Sequence, residues 1–482
     1  MHVNKVHLSL GGGTLALELP YDAEVLTMGE AKALGSPAEA VEHSLNNPID
    51  SPPLSSLIRD RLRHRPKSRA VVVVSDHTRP VPYRGEGGIL WPIVRRLLEA
   101  GVDRRNLLVL VATGTHAPMT EEQLKSFLDS RVFELGIQVK NHDARDTSRL
   151  VSIGTTSSGN EIVIDRDYLE ADIRILTGLV ESHFIAGVSG GRKSICPGLV
   201  GEEMTHTFHS AEMLASEQAR DMNLEGNPCH DQALEVARIA GADFIVNVTL
   251  DKNYRTTGVF SGNLETAHLR AYEFLKSYVS IPIESEYDIV VTHGGFVGIN
   301  HYQTVKAGLA ALPAIRKGGI LIIVAANTDV DPIGSSRYRT LLHLLRLVGH
   351  ERFVRLIFSP DWSFIPEQWE VQAWAKILAR VGPDNLLYYS PQLTAEHYSF
   401  IPGSDANTYL PPHLRYSPKL ENIPLAAAGA VAAAVEEHQR AESRPCRLAV
   451  LADGPYGIVA RRLAGHSKVE TREHAKGILP SS

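Results

Sequence analysis

Short, almost unbroken runs of Val, Ile and Leu, separated by segments long enough for helices, restrict this chain more than any other feature. The clearest are Ala70 to Ser75, Leu107 to Ala112, Ile173 to Leu179, Phe244 to Leu250, Ile289 to Thr292, Ile320 to Ala325 and Leu448 to Leu451. A strand with one wet face alternates apolar and polar residues, whereas a run without alternation is covered on both faces, as in a parallel sheet flanked by helices. Trp91 to Ala100 is amphipathic, with Pro92 early and Gly101 behind it, and is the expected helix joining the first two runs. The 482 residues exceed the roughly 100 to 200 of a single domain. Ile281-Pro282-Ile283-Glu284-Ser285-Glu286 breaks the pattern, so we expect two α/β lobes with mainly parallel sheets, over 1–280 and 286–482. The polar tail after Arg461 is expected to be loosely held.

Composition excludes several functions. Hydrophobic residues make up 43% and charged residues 22%, the balance of an ordinary globular protein rather than a disordered one. A net charge of −6 offers no basic face for nucleic acid, and the run Arg59 to Arg65, which contains Asp60, reads as a solvated helix face. Cys196, Cys229 and Cys446 are far apart and without CxxC spacing, which argues against disulfides or structural zinc and for a reducing cytoplasm. The first ten residues lack the apolar core of a secretory signal. The longest apolar stretch, Leu425 to Val435, falls short of the roughly 20 residues that span a bilayer, so no membrane partner is expected.

Four segments carry candidate chemistry. Asp76, His77 and Arg79 follow the first run directly; a strand end presenting an acid, an imidazole and a guanidinium suits an anion, although Asp76 could equally cap a turn and pair with Arg79. His116 follows the second run and could share that crevice as a proton-transfer group. Glu181 to Ser194 is rich in glycine, with Gly187, Gly190 and Gly191 letting amides approach a phosphate and Arg192 and Lys193 adding charge. It nearly matches a Walker A loop, but the second glycine of that motif would fall on Arg192. The same segment runs on to His206 and His209, three residues apart, a spacing that could put both on one helix face toward a metal, or simply leave two half-exposed imidazoles. Finally Tyr302, Gln303 and Lys306 sit at helical spacing after Gly294, Gly295 and Gly298, and could converge on a cleft or stand on a surface.

Together and in this order these segments resemble the nickel-dependent lactate racemase family, over roughly Ser75 to Trp369, the core of the likeness being HFIAGVSGGRKSICPG followed by TFH. The resemblance implies an active-site cleft between the two lobes and a nickel-pincer nucleotide, a pyridinium-derived cofactor whose sulfur and carbon atoms grip nickel, loaded by separate cofactor-biosynthesis proteins. It implies Lys193 as the covalent tether through a thioamide and His209 as the protein ligand to nickel. Ser189, Gly190, Gly191 and Arg192 would cradle the cofactor phosphate. His116 and His183 match the family's paired acid and base: one imidazole takes the C2 hydroxyl proton as hydride passes to the cofactor, and hydride return to the other face inverts the centre. Arg79 and Lys306 would hold the substrate carboxylate, Tyr302 and Gln303 would line the same region, Asp76 would orient its neighbours, and Trp369 and Gln372 match a family segment with a supporting role, Trp369 on the cofactor.

The implied activity is that of a 2-hydroxy-acid racemase or epimerase with a small-molecule substrate. No residue matches a pocket for the group on C2, and extra sequence follows about Leu410, so lactate itself does not follow. Two other readings stay open: an ATP-dependent phosphoryl-transfer enzyme using Gly187 to Ser194, and a cofactor-free protein that only binds a carboxylate.

Overall fold

The computed structural model describes residues 2–461, and the tail expected to be loosely held lies outside them. Two mainly parallel sheets organise the chain. The first has the strand order Thr256–Gly262, Phe244–Leu250, Ile173–Leu179, Ala70–Ser75, Leu107–Ala112, Gln138–Asn141, and only its first pairing is antiparallel. The second runs His2–Leu10, Gly13–Leu26, Leu448–Leu451, Tyr287–His293, Ile315–Val324, Leu386–Tyr389, Ser404–Asp405, again with only the first pairing antiparallel.

The missing alternation has its reason in the core. Val72 and Val74 pack into one hydrophobic cluster and Val71 and Val73 into another on the opposite face, and all four are fully buried. The expected helix spans Leu90–Ala100 and stops at Gly101, whose φ of 107° reverses the chain toward the next strand.

Two expectations about lobe boundaries need correcting. The lobe placed at 1–280 does not start at residue 1, because Gly13–Leu26 pairs with Leu448–Leu451 and its hairpin belongs to the second sheet. Leu8, Leu10, Leu17 and Leu19 form the single apolar face of that hairpin and bury it beneath the alanine-rich helix Asn422–Ala441. The break near 280–286 is itself a strand, Ser280–Ile283, pairing in parallel with Ile458–Arg461. Between the lobes a continuous core joins Val180, Val188 and Met222 to Tyr278, Ile281 and Ile458.

The Leu425 to Val435 stretch lies within Asn422–Ala441, and no helix among the described residues is long and apolar enough to cross a membrane. In the basic run, Arg61 pairs with Asp243 and Arg65 with Asp172 around a hollow of about 560 Å³ well away from the cleft. Part of that run is therefore neutralised rather than merely solvated.

Candidate active site

Every sequence segment with candidate chemistry in the first lobe emerges from the C-terminal end of a parallel strand, the end at which open α/β sheets hold their ligands. A cavity of about 370 Å³ opens between the lobes there, with Arg79, His183, Asp221 and Lys306 among its lining.

Asp76 and His116 meet across adjacent strand ends. The His116 Nδ1–H donates to Asp76 Oδ2 at 2.6 Å, and Thr78 donates its amide and hydroxyl to Oδ1 at 3.1 and 2.5 Å. Burial opposes the charge on Asp76, but these bonds and the Arg79 guanidinium outweigh it and hold the carboxyl below the usual aspartate range. His116 thereby presents a bare Nε2 while its ring stays largely exposed. His183 has the opposite arrangement. Its Nδ1 accepts the amides of Ile185 and Ala186, both at 3.2 Å, which leaves the proton of the neutral ring on Nε2. Burial, then the charges of Lys193, Arg79 and Lys306, push this imidazole well below its ordinary pKa. Arg79 does not stand free for an anion: its Nε lies 3.1 Å from Glu181 Oε1.

In the glycine-rich loop, three of the four residues expected to cradle a phosphate have polar groups engaged within the protein. Arg192 is 1% exposed and turned inward, donating to Ala186 O at 2.7 Å and meeting His268 Nε2 at 3.0 Å. Ser189 Oγ donates to Leu179 O and the Gly191 amide to Asn247 Oδ1. Gly190 turns the chain at φ 75° before the short helical turn Gly191–Ser194. These donors brace the loop, since a buried loop must satisfy its own polar groups. The Walker reading fails at the same residue: the bulky Arg192 stands at the motif's second glycine, with its guanidinium turned inward to Ala186 O. Lys193 is the loop's other cationic side chain, its Nζ 5.5 Å from the centre of the Phe208 ring. Burial, with Arg79 and Arg192 adding to it, drives its amine far below the usual lysine range.

His206 and His209 meet two different rings, Phe364 and Trp369, which themselves stack at 6.1 Å. His206 lies in the helix Glu202–Phe208 and stacks on Phe364 at 4.3 Å, while His209 caps that helix and packs on Trp369 at 4.6 Å. The two imidazoles thus each grip a different ring of the second lobe. His209 Nδ1–H donates to Thr205 O at 2.8 Å, so its Nε2 carries a lone pair, and burial pushes its pKa down to about 3. A neutral imidazole with one nitrogen fixed by a carbonyl is the form that binds metal.

From the second lobe, Asn300 caps the helix His301–Ala311, which carries Tyr302, Gln303 and Lys306. Lys306 Nζ donates to Gln303 Oε1 at 2.6 Å, and Tyr302 packs edge-on against Tyr338. Gln372 Nε2 reaches across the lobes to Ala211 O at 2.9 Å.

Sequence reasoning missed two acids, the part-buried Asp221 and the buried Glu370. Asp221 accepts Ser182 Oγ–H at 2.5 Å, and burial pushes its carboxyl up to about 6. Glu370 lies beside Lys306, with burial raising its pKa and the ammonium opposing. Neither sits in a recognisable motif; Glu370 was adjacent to Trp369, and that adjacency was the available signal.

Fold and cleft define the class: a two-lobed α/β protein whose interlobe site is built from imidazoles, amines and acids, most of them partly buried. Residues 10–221 match the lactate racemase N-terminal domain and residues 283–384 the lactate racemase C-terminal domain. The chain belongs to the lactate racemase family. It is 36% identical over 381 residues to the lactate racemase of Lactiplantibacillus plantarum, covering 76% of this chain and 86% of that one. It is 31% identical over 379 residues to that of Thermoanaerobacterium thermosaccharolyticum, covering 77% and 85%. The lactate racemase apoprotein structure from the latter organism superposes with a TM-score of 0.78 at 26% identity, over 95% of this chain and all of that one. A Thermotoga maritima protein, at 16% identity and TM-score 0.58 over 85% of this chain and 97% of that one, shares the fold.

Proposed function

We propose that this chain is a 2-hydroxy-acid racemase or epimerase that works with a nickel-pincer nucleotide tethered to Lys193. The observation that carries the reading is the pairing of two groups prepared for that cofactor. Burial and the neighbouring guanidiniums push the Lys193 amine well below the usual lysine range, which favours its nucleophilic form, and His209 keeps Nε2 bare by giving its Nδ1 proton to Thr205 O. Residues able to hold such a group are therefore present, with Trp369 packed against the His209 ring. Imidazole suits square-planar nickel completed by soft sulfur and carbon donors. Bound there, the cofactor would supply a hydride acceptor for C2.

The chain's own groups account for the rest. His116 Nε2 takes the C2 hydroxyl proton, and the Asp76 carboxylate stabilises the imidazolium that results. His183, with Nε2–H outward, donates toward the oxygen of the planar 2-oxo acid. Lys306 offers an ammonium for the substrate carboxylate, steadied by Gln303. Arg79 joins it only by exchanging Glu181 for substrate.

The test is mass spectrometry of protein from a host able to make the cofactor. An adduct on the Lys193 peptide, with near-stoichiometric nickel and interconversion of enantiopure 2-hydroxy acids, is the expected result. An unmodified lysine and nickel-free protein from such a host refute it. Separate cofactor-loading proteins are a required partner under this reading.

A further inference from the structure

Beyond the groups already described, the interlobe cavity continues into a wall of three aromatic rings, Tyr254, Phe296 and Tyr456. Tyr254 occupies the turn between Phe244–Leu250 and Thr256–Gly262 at φ 61°, a left-handed conformation that bulky residues seldom take. Asp251 holds that turn. Its carbonyl accepts the Tyr254 amide at 3.0 Å, and its carboxylate accepts the amides of Asn253 and Arg255 at 2.8 and 2.9 Å. Phe296 follows the strand Tyr287–His293, with its ring centre 4.9 Å from that of Tyr254 and 4.8 Å from that of Tyr456.

Tyr456 is fixed in turn. Its hydroxyl oxygen accepts the amides of Phe296 and Val297, both at 3.2 Å. Gly295, at φ 60°, makes this possible, since a Cβ there would stand 2.7 Å from that oxygen. Both lobes thus spend backbone strain and hydrogen bonds on placing rings that remain in contact with water: Tyr254 is 45% and Phe296 39% exposed. Pre-positioned apolar surface inside a site recovers its hydration cost only when an apolar group covers it.

We propose, resting on the 2-hydroxy-acid reading above, that this wall receives an aromatic substituent on C2, so that the substrate is an aryl-bearing 2-hydroxy acid. The substrate's carboxylate is drawn toward Lys306 and Arg79, and the substituent is the part left to reach the rings. A methyl group leaves them wet, whereas a phenyl ring covers them in the offset or edge-on contacts that aromatic groups favour.

Calorimetric titration of the holoprotein with two 2-oxo acids, phenylpyruvate and pyruvate, tests this. Phenylpyruvate should bind at least about tenfold more tightly. Tyr254→Ala and Phe296→Ala should each erode that preference severalfold with pyruvate affinity unchanged, and Tyr254→Phe should retain it. Equal affinities, binding of neither acid, or a preference untouched in both alanine variants would overturn the proposal. Adduct mass and nickel content, measured on the same samples, separate this outcome from failure of the cofactor reading. Adduct and nickel without aryl preference sink the wall alone, whereas aryl preference on unmodified Lys193 sinks the chemistry alone.

Discussion

The Nδ1 of His116 donates to the carboxylate of Asp76 across 2.6 Å, between the ends of two neighbouring strands. The pair fixes the tautomer of an otherwise exposed ring and gives its imidazolium a counter-charge. Asp76→Asn should lower racemisation by about 100-fold or more. The same change tests linkage. The folded Asp76 pKa is depressed, so its stabilisation is complete above the ordinary value of 3.8 and is lost as pH falls through the folded value. Urea midpoints of wild type and variant should differ most near neutrality and converge in acid.

His116→Ala and His183→Ala should each suppress racemisation in both directions, because both enantiomers pass through the same planar 2-oxo acid, whose oxygen these two imidazoles serve. Chiral chromatography of both reactions checks it. In deuterated buffer the residual product should carry little deuterium at C2, as hydride return requires; substantial incorporation points to a carbanion instead.

For His209→Ala, nickel retention should fall by at least about tenfold while the Lys193 adduct still forms. Metal analysis alongside intact mass reads both quantities, and unchanged nickel removes His209 from the ligand set.

Asp221 carries a cost above neutrality. Its folded pKa is raised to about 6, so the protonated form is favoured on folding and stability drops as pH rises from about 4 through 6. Asp221→Asn keeps an acceptor for Ser182 and removes that charge. It should stabilise the protein by up to about 3 kcal/mol at pH 7.5 and by little at pH 4, as read from denaturant curves.

Gly191 adopts φ 52°, and a Cβ there would lie 2.7 Å from His268 Cδ2. Gly191→Ala should cost about 1 to 3 kcal/mol and reduce the fraction of Lys193 modified, because the strained residue directly precedes Arg192 and the tether.

The chain order alone determined a good deal. Unalternating Val71 to Val74 required cover on both faces, and the four valines do divide between two cores. The placement of Asp76, His116 and His183 just beyond such strands put them at one edge of one sheet, since parallel strands all end on the same side.

Other decisions needed the tertiary structure. Spacing grouped His206 with His209, but the second lobe sends Phe364 to one and Trp369 to the other. The family resemblance implied Arg192 as a phosphate ligand; in the fold its guanidinium is buried and braces Ala186 O, because a guanidinium cut off from water takes the carbonyls nearest it. The hairpin of residues 2–26 joined a strand more than 400 positions away, a pairing its local pattern could not announce. Local sequence dictates which backbone forms and which face must be dry. Which distant surface dries it, and which polar groups remain for chemistry once the rest are satisfied, depends on contacts that no window of sequence contains.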